Sequence, residues 1–210
     1  GWVVVVRDGE MGVKGRATRS RMEKLLVKNI ESALKSINTS ARVVRSFGRI
    51  YVKGFSGEES AETSLNILAR VMGVVSLSPA YTVKFADLSD LVEKAYKFFK
   101  PRIRVSSFAV IARRVGEHSF TSVDVARALG ERIAGKLRLK VDLSNPEYTA
   151  YVEIRGWRAY FYDKIVRGPG GLPIGSEGRV LVLFSGGFDS PVAAWFMMRR
   201  GCIADLVLFN

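Results

Sequence analysis

The chain has 210 residues, 48% hydrophobic and 25% charged, a balance that excludes a disordered or fibrous polypeptide and fits an ordinary globular one. No run approaches the roughly 20 apolar residues that span a bilayer, Arg7 and Asp8 cut short the opening apolar run, and the single cysteine, Cys202, cannot close an internal disulfide. No membrane span, secretory leader or disulfide framework is expected, and a reducing, cytoplasmic setting is expected.

The net charge of +13 is uneven: 13 Lys/Arg against 7 Asp/Glu in residues 1–75, 17 against 10 in 76–167, and 3 against 3 in 168–210. A charge-rich thermostable surface would carry acids in comparable number. A basic excess confined to the first four-fifths instead predicts a polyanion partner, nucleic acid above all.

In chain order, the β-branched residues 2–7 predict a buried strand. A glycine-punctuated loop from Asp8 to Arg16 follows. Met22, Leu25, Leu26, Ile30, Ala33, Leu34 and Ile37 recur at helical spacing, so a helix is expected from about Thr18, with Thr18 or Ser20 as its cap. Residues 41–46 and 49–53 predict two strands about the Gly48 turn. A second helix is expected near 58–72, ended by Gly73. Strand, helix, two strands, helix, strand over residues 1–77 is the order of an α+β, ferredoxin-like domain.

A second, α/β domain is expected over 78–167. Leu88, Leu91, Val92, Ala95, Phe98 and Phe99 predict a helix at 87–100, with Pro101 after its end. Residues 102–112 predict one or two strands, on which Arg102 and Arg104 share a face. A helix at about 122–137 is followed by runs at 148–155 and 157–163 that make a hairpin at Gly156. The candidate phosphate contacts are Lys14 and Arg16 in the first glycine loop, Arg102, Arg104, Arg113 and Arg114 around the central strands, and Lys136, Arg138 and Lys140 as a third cluster. Phe98, Phe99, Phe161 and Tyr162 have core spacing rather than that of a base-stacking platform. His118, the only histidine, has no partner cluster and is assigned neither a metal nor a catalytic role. Residues 167–175 hold four glycines and two prolines, the composition of a domain boundary.

Residues 168–210 predict strand, loop, helix and strand, the first βαβ of a parallel sheet. About 40 residues of this kind cannot bury a core of their own. The loop Ser185-Gly-Gly-Phe-Asp-Ser190 lies where open parallel sheets bind ligands. Its two glycines let backbone N–H groups approach an anion, and the following helix adds its positive end. Ser190 is expected as N-cap and Pro191 as the first helical residue. The lysine of a G-x-x-x-x-G-K-[ST] loop is missing. Asp189 would repel phosphate unless Mg²⁺ stands between them or the aspartate faces another group, and metal-bridged pyrophosphate chemistry is expected.

The string SGGFDS with PVAAWFMMRRG resembles the pyrophosphatase loop (PP-loop) of ATP-dependent adenylating enzymes. GPGGLPIGSEGRVLVLFSGGFDSPVAAWFMMRRGC, preceded by VDLSNPEYTAYVEIR, resembles tRNA 4-thiouridine synthetases (tRNA sulfurtransferases), as do GEMGVKGR and ILARVMGVVSLSPA. The resemblance implies an N-terminal ferredoxin-like domain (1–77), a tRNA-engaging THUMP domain (78–167) and the start of an ATP pyrophosphatase domain (168–210). It implies use of ATP and Mg²⁺ to adenylate the uridine at tRNA position eight, after which sulfur from a persulfide donor protein displaces AMP. It also implies a link to thiamine biosynthesis, and leaves a homodimer open. In this chain Ser185, Gly186, Gly187 and Ser190 would then surround the pyrophosphate, with Asp189 catalytic. Leu183, Phe184 and Asn210 would face the adenine side. The family's sulfur-carrying cysteine lies beyond the loop in sequence this chain lacks, and Cys202 reads as a packed thiol. The chain alone is therefore expected to be inactive. The competing reading is a non-catalytic tRNA-binding THUMP module. A THUMP-bearing methyltransferase is disfavoured, because no G-x-G-x-x-G turn is present.

Overall fold

Val3 to Val6 offer no polar alternation, and β1 (Trp2–Asp8) is accordingly buried on both faces along them. The computed structural model describes residues 1–9, 15–37, 40–46 and 48–208. Two compact units emerge, Val3–Pro79 with Ile165–Asn210, and Gly1–Trp2 with Ala80–Lys164.

In the first unit, α1 (Arg16–Lys35) buries Met22, Leu26, Ile30 and Leu34, each four residues from the last and so on one face. The helix begins at Arg16, ahead of the expected Thr18, because the Gly15 carbonyl accepts the Arg19 N–H at 2.9 Å. Neither Thr18 nor Ser20 caps it, and Gly15 at the N-cap makes no side-chain bond. Buried Glu23 on this helix is ion-paired with Arg19 at 2.8 Å and with Arg45. Burial raises the neighbouring Asp8 carboxyl above its ordinary range.

Strands β2 (Arg42–Ser46) and β3 (Arg49–Lys53) pair antiparallel, and β3 pairs with β1 in the register Val3↔Lys53 to Val6↔Ile50. Helix α2 (Glu58–Leu68) ends four residues earlier than its apolar spacing suggests. Gly73, at φ 96°, introduces β4 (Val74–Lys84) instead of closing the helix. The order β2-β3-β1-β4 with two helices is the ferredoxin-like arrangement.

The second unit takes the end of β4 from Ala80 onward. Helix α3 (Leu88–Phe99) is capped by Asp87, whose side chain accepts the Asp90 N–H at 2.8 Å, while Asp90 accepts from Ala86 N at 2.8 Å. β5 (Ser107–Val115) is a single strand starting later than expected; Arg102 and Arg104 precede it in irregular chain and share no strand face. Helix α4 (Ser122–Leu137) has a reciprocal cap: the Thr121 hydroxyl accepts from Asp124 N at 3.2 Å, and Asp124 accepts from Thr121 N at 2.7 Å. Strands β6 (Lys140–Val141) and β7 (Tyr148–Arg155) run parallel to β5, and β8 (Arg158–Tyr162) returns antiparallel to β7 and pairs with β4. The core between helices and sheet includes Leu91, Phe99, Phe108, Leu129, Ile133, Val152 and Phe161.

The chain re-enters the first unit through β9 (Val166–Arg167), which pairs with β4, and ends in β10 (Arg179–Phe184), α5 (Asp189–Arg199) and β11 (Ile203–Leu208). β10 and β11 are parallel over six pairs, from Arg179↔Ile203 to Phe184↔Leu208. Leu181, Leu183, Leu206 and Leu208 of this pair are each more than half exposed. A parallel sheet is normally covered on both faces.

Candidate nucleotide loop and nucleic-acid interface

Chain direction and strand end together place the loop. β10 delivers the chain at Phe184, residues 185–188 turn, and α5 starts at Asp189. Gly186 has φ 76°, a left-handed conformation that a side chain would strain. A Cβ at Gly186 would meet nothing within 4 Å, and at Gly187 only the Ser185 hydroxyl at 3.6 Å, so the loop's backbone lies open to an approaching group.

Ser190 departs from its expected role. The N-cap is Phe188, and Ser190 sits inside the first turn, 9% exposed. Its hydroxyl accepts the Ser185 N–H at 3.2 Å and lies 3.0 Å from the Ser185 hydroxyl. It therefore ties the end of the strand to the start of the helix, and Pro191 is the third helical residue. Asp189 is exposed at the first helical position, where the helix dipole favours a carboxylate. Phe188 is 94% exposed. Leu183 is exposed and Phe184 half-buried, while Asn210 lies outside the described residues.

The open backbone, paired hydroxyls and helix N-terminus suit a pyrophosphate. Among the described residues no cluster of three or more His, Cys, Asp or Glu is arranged for a metal.

The glycine-rich segment before the loop, read from composition as a boundary, is hydrogen-bonded nearly throughout. Gly168 N and Gly170 N donate to Val75 O at 2.9 Å and Val74 O at 2.8 Å, and Gly170 O accepts from Gly73 N at 2.8 Å. Leu172 N then donates to Arg199 O at 2.9 Å, Gly175 N to Gly201 O at 2.8 Å, and the Arg199 side chain to Pro169 O at 2.7 Å. This strap holds the C-terminal end of α5 against the start of β4. Composition gave no signal for it, because its partners are backbone groups distant in sequence.

The basic candidates fall in separate places. Lys14 lies outside the described residues, and Arg16 is exposed at the first position of α1. In the second unit, Arg113 is exposed on β5, whereas Arg114 is half-buried and donates to Gly116 O at 2.6 Å and to His118 Nδ1 at 3.1 Å. His118 Nε2 donates to Gly156 O at 2.8 Å, so this histidine ties a loop to a hairpin. Lys136 and Arg138 end α4, with Arg138 left-handed at φ 55° as its C-cap, and Lys140 pairs with Ser107 at the start of β5. Arg113 lies six residues along β5 from Ser107, about 20 Å at strand rise. The clusters therefore sit towards opposite ends of one strand. Arg102 stacks its guanidinium 4.2 Å over the Phe98 ring. Phe99, Phe161 and Tyr162 are buried as their spacing suggests, but Phe98 is half-buried and lines a cavity. Cys202 is a buried free thiol with its sulfur 3.9 Å from Glu177 O.

Comparison with known proteins assigns the segments. Residues 3–78 match the ThiI ferredoxin-like domain, 85–163 the THUMP domain, and 175–210 the thiamine biosynthesis protein ThiI. A protein of Aeropyrum pernix named probable tRNA sulfurtransferase is 50% identical over 99% of the chain, which covers 52% of that protein. The chain thus spans about half the length of this curated relative. The crystal structure of PH1313 from Pyrococcus horikoshii superposes with a TM-score of 0.88 at 35% identity, over 100% of this chain and 69% of that one. A crystal structure described as a 4-thiouridine synthetase–RNA complex with bound ATP superposes with a TM-score of 0.79 at 28% identity, over 100% of this chain and 53% of that one.

Proposed function

The chain belongs to the tRNA sulfurtransferase family, and from this premise we propose that it supplies the tRNA-engaging domains and pyrophosphate loop of an enzyme that makes 4-thiouridine at tRNA position eight. The observation that carries the reading is the open strand–SGGFDS–helix loop with Ser185 and Ser190 joined across its base.

In this reading the backbone of Ser185, Gly186 and Gly187 and the hydroxyls of Ser185 and Ser190 bind the β- and γ-phosphates of ATP. Leu183, Phe184 and Asn210 border the adenine. The uridine oxygen bonds to the α-phosphorus as the bond to pyrophosphate breaks. Persulfide sulfur from a donor protein then bonds to the uridine carbon as AMP leaves, and attack by a second thiol breaks the S–S bond, which frees the 4-thiouridine and leaves a disulfide. Asp189 would hold a Mg²⁺, which when bound would offset the charge on the leaving pyrophosphate. Arg16, Arg102, Arg104, Arg113, Lys136, Arg138 and Lys140, with Lys14, supply phosphate contacts that position the tRNA, whereas Arg114 serves the Gly116–His118 loop. The 210 residues alone engage tRNA without completing the reaction.

The test uses a protein extended to the length of the relatives. Release of pyrophosphate from ATP in the presence of tRNA should fall on the order of 100-fold or more in Asp189→Ala, while tRNA affinity stays within about twofold. Near-normal release in that variant would overturn the role of the loop. Unchanged tRNA binding with no release even in the unaltered extended protein would favour the non-catalytic module.

A further inference from the structure

We propose that the cavity lined by Ser76, Arg167, Gly171 and Arg199 in the first unit binds a small phosphate dianion: inorganic phosphate, pyrophosphate or a nucleoside monophosphate. Its volume is about 490 Å³, within the roughly 300–1,000 Å³ typical of small-ligand clefts. All of its lining lies in Val3–Pro79 and Ile165–Asn210. Arg199 ends α5, and Asp189 starts it about 15 Å of helical rise away. The site is therefore separate from the Ser185–Ser190 loop and does not rest on the reaction assigned there.

Two open cations carry the inference. Arg167 and Arg199 line the cavity with no described carboxylate beside them, and neither is ion-paired among the described residues. Ser76 and Arg167 are register partners between β4 and β9, so a hydroxyl and a guanidinium stand together on one sheet face. The Arg199 guanidinium is held by its Nε, which donates to Pro169 O at 2.7 Å. Its remaining N–H groups keep the fork that matches phosphate oxygens. Glycine leaves that fork uncovered, since a Cβ at Gly170 would lie 3.5 Å from Arg199 Nη2. Two positive charges favour a dianion over an RNA phosphodiester, which carries a single negative charge.

The backbone around the cavity agrees with this charge. Gly170 N and Leu172 N donate to Val74 O and Arg199 O, but the N–H of buried Gly171 between them meets no acceptor among the described residues. Buried N–H groups without a partner are rare, and an anion in the cavity supplies one. The negative pole of α5 does not oppose it. The last four carbonyls of the helix, Phe196 to Arg199, already accept N–H groups of Arg200, Cys202, Gly201 and Leu172 at 2.9–3.1 Å. The partial charges that would repel an anion are thereby offset.

The experiment titrates the isotope-labelled 210-residue chain with inorganic phosphate at constant ionic strength, then with pyrophosphate and with AMP. It follows the amide signals of Gly168, Gly170, Gly171 and Leu172 against those of Gly186 and Gly187. Phosphate should shift the first set saturably, Gly171 most, while chloride at the same ionic strength leaves it in place. Arg167→Ala, at an exposed position, should weaken this binding about tenfold or more and leave the Gly186 and Gly187 response to pyrophosphate unchanged. Arg167→Lys, which keeps the charge without the fork, should fall between. If Arg167→Ala unfolds, the shifts of the unaltered chain and the Arg167→Lys variant decide the matter. Strap amides unmoved by all three anions, or moved equally by chloride, would overturn the site whatever the loop does. Strap amides that respond to a single-stranded RNA but not to phosphate would overturn it in favour of a strand contact. Strap shifts beside an unresponsive loop would uphold the site while counting against the functional reading of the loop.

Discussion

Arg113 and Arg114 are adjacent in sequence and opposite in role. Strand alternation requires one to face outward; the exposed residue is Arg113, while Arg114 serves the Gly116–His118 loop. Arg113→Ala is expected to weaken tRNA binding a few-fold and lower its salt slope by about one, with no change in thermal unfolding. Arg114→Ala is expected to cost about 1–2 kcal/mol of stability, since two acceptors lose a charged donor. Filter binding and thermal unfolding of both variants check this, and equal loss of stability in the two would contradict the division. Ser190 and Cys202 show the same contrast between type and place. A serine before proline at a helix start has the residue type of an N-cap, yet its hydroxyl reaches back to Ser185. Cys202 reads as packing from its position after Gly201, and its thiol is indeed buried.

At the scale of elements, helix faces were legible, and so were the ends of α3 and α4, whereas the start of α1 and the end of α2 were not. The four-residue spacing of Met22, Leu26, Ile30 and Leu34 marks the buried face of α1, but its first residue is set by one backbone bond to Gly15. The glycine-rich strap is the larger surprise, because a segment whose composition reads as a domain boundary has its backbone hydrogen-bonded to β4 and to the end of α5. Gly171 stands at its tightest point: with φ 71°, an added Cβ would overlap the Arg199 carbonyl. Gly171→Ala is therefore expected to destabilise the first unit by on the order of 2 kcal/mol or more. It should also speed amide exchange at Leu172 and Gly175, whose N–H groups bond to Arg199 and Gly201. Unchanged exchange at those amides would show the strap to be dispensable. Because the strap joins residues 165–178 to β4, binding experiments are better made on all 210 residues than on a chain cut at 167.

Over the whole molecule, charge makes the most general prediction. With +13 overall and its excess confined to residues 1–167, tRNA affinity should fall roughly 10²–10³-fold between about 50 and 200 mM salt if some five phosphates are neutralised. A tRNA titration at several salt concentrations measures this slope, and a flat response would remove the electrostatic account. The amino-acid sequence by itself determined the five helices and the longer strands, the basic excess and the strand–loop–helix around SGGFDS, because periodicity, net charge and a contiguous loop are local properties of a chain. Only the tertiary structure decided that Arg113 faces solvent and Arg114 does not, that the basic clusters lie at opposite ends of β5, that the linker is a strap, and that Phe98 lines a cavity with Trp2 and Tyr81. Each of these depends on groups far apart along the chain meeting in space, and no spacing within a single segment records which distant partner a side chain or a backbone N–H will find.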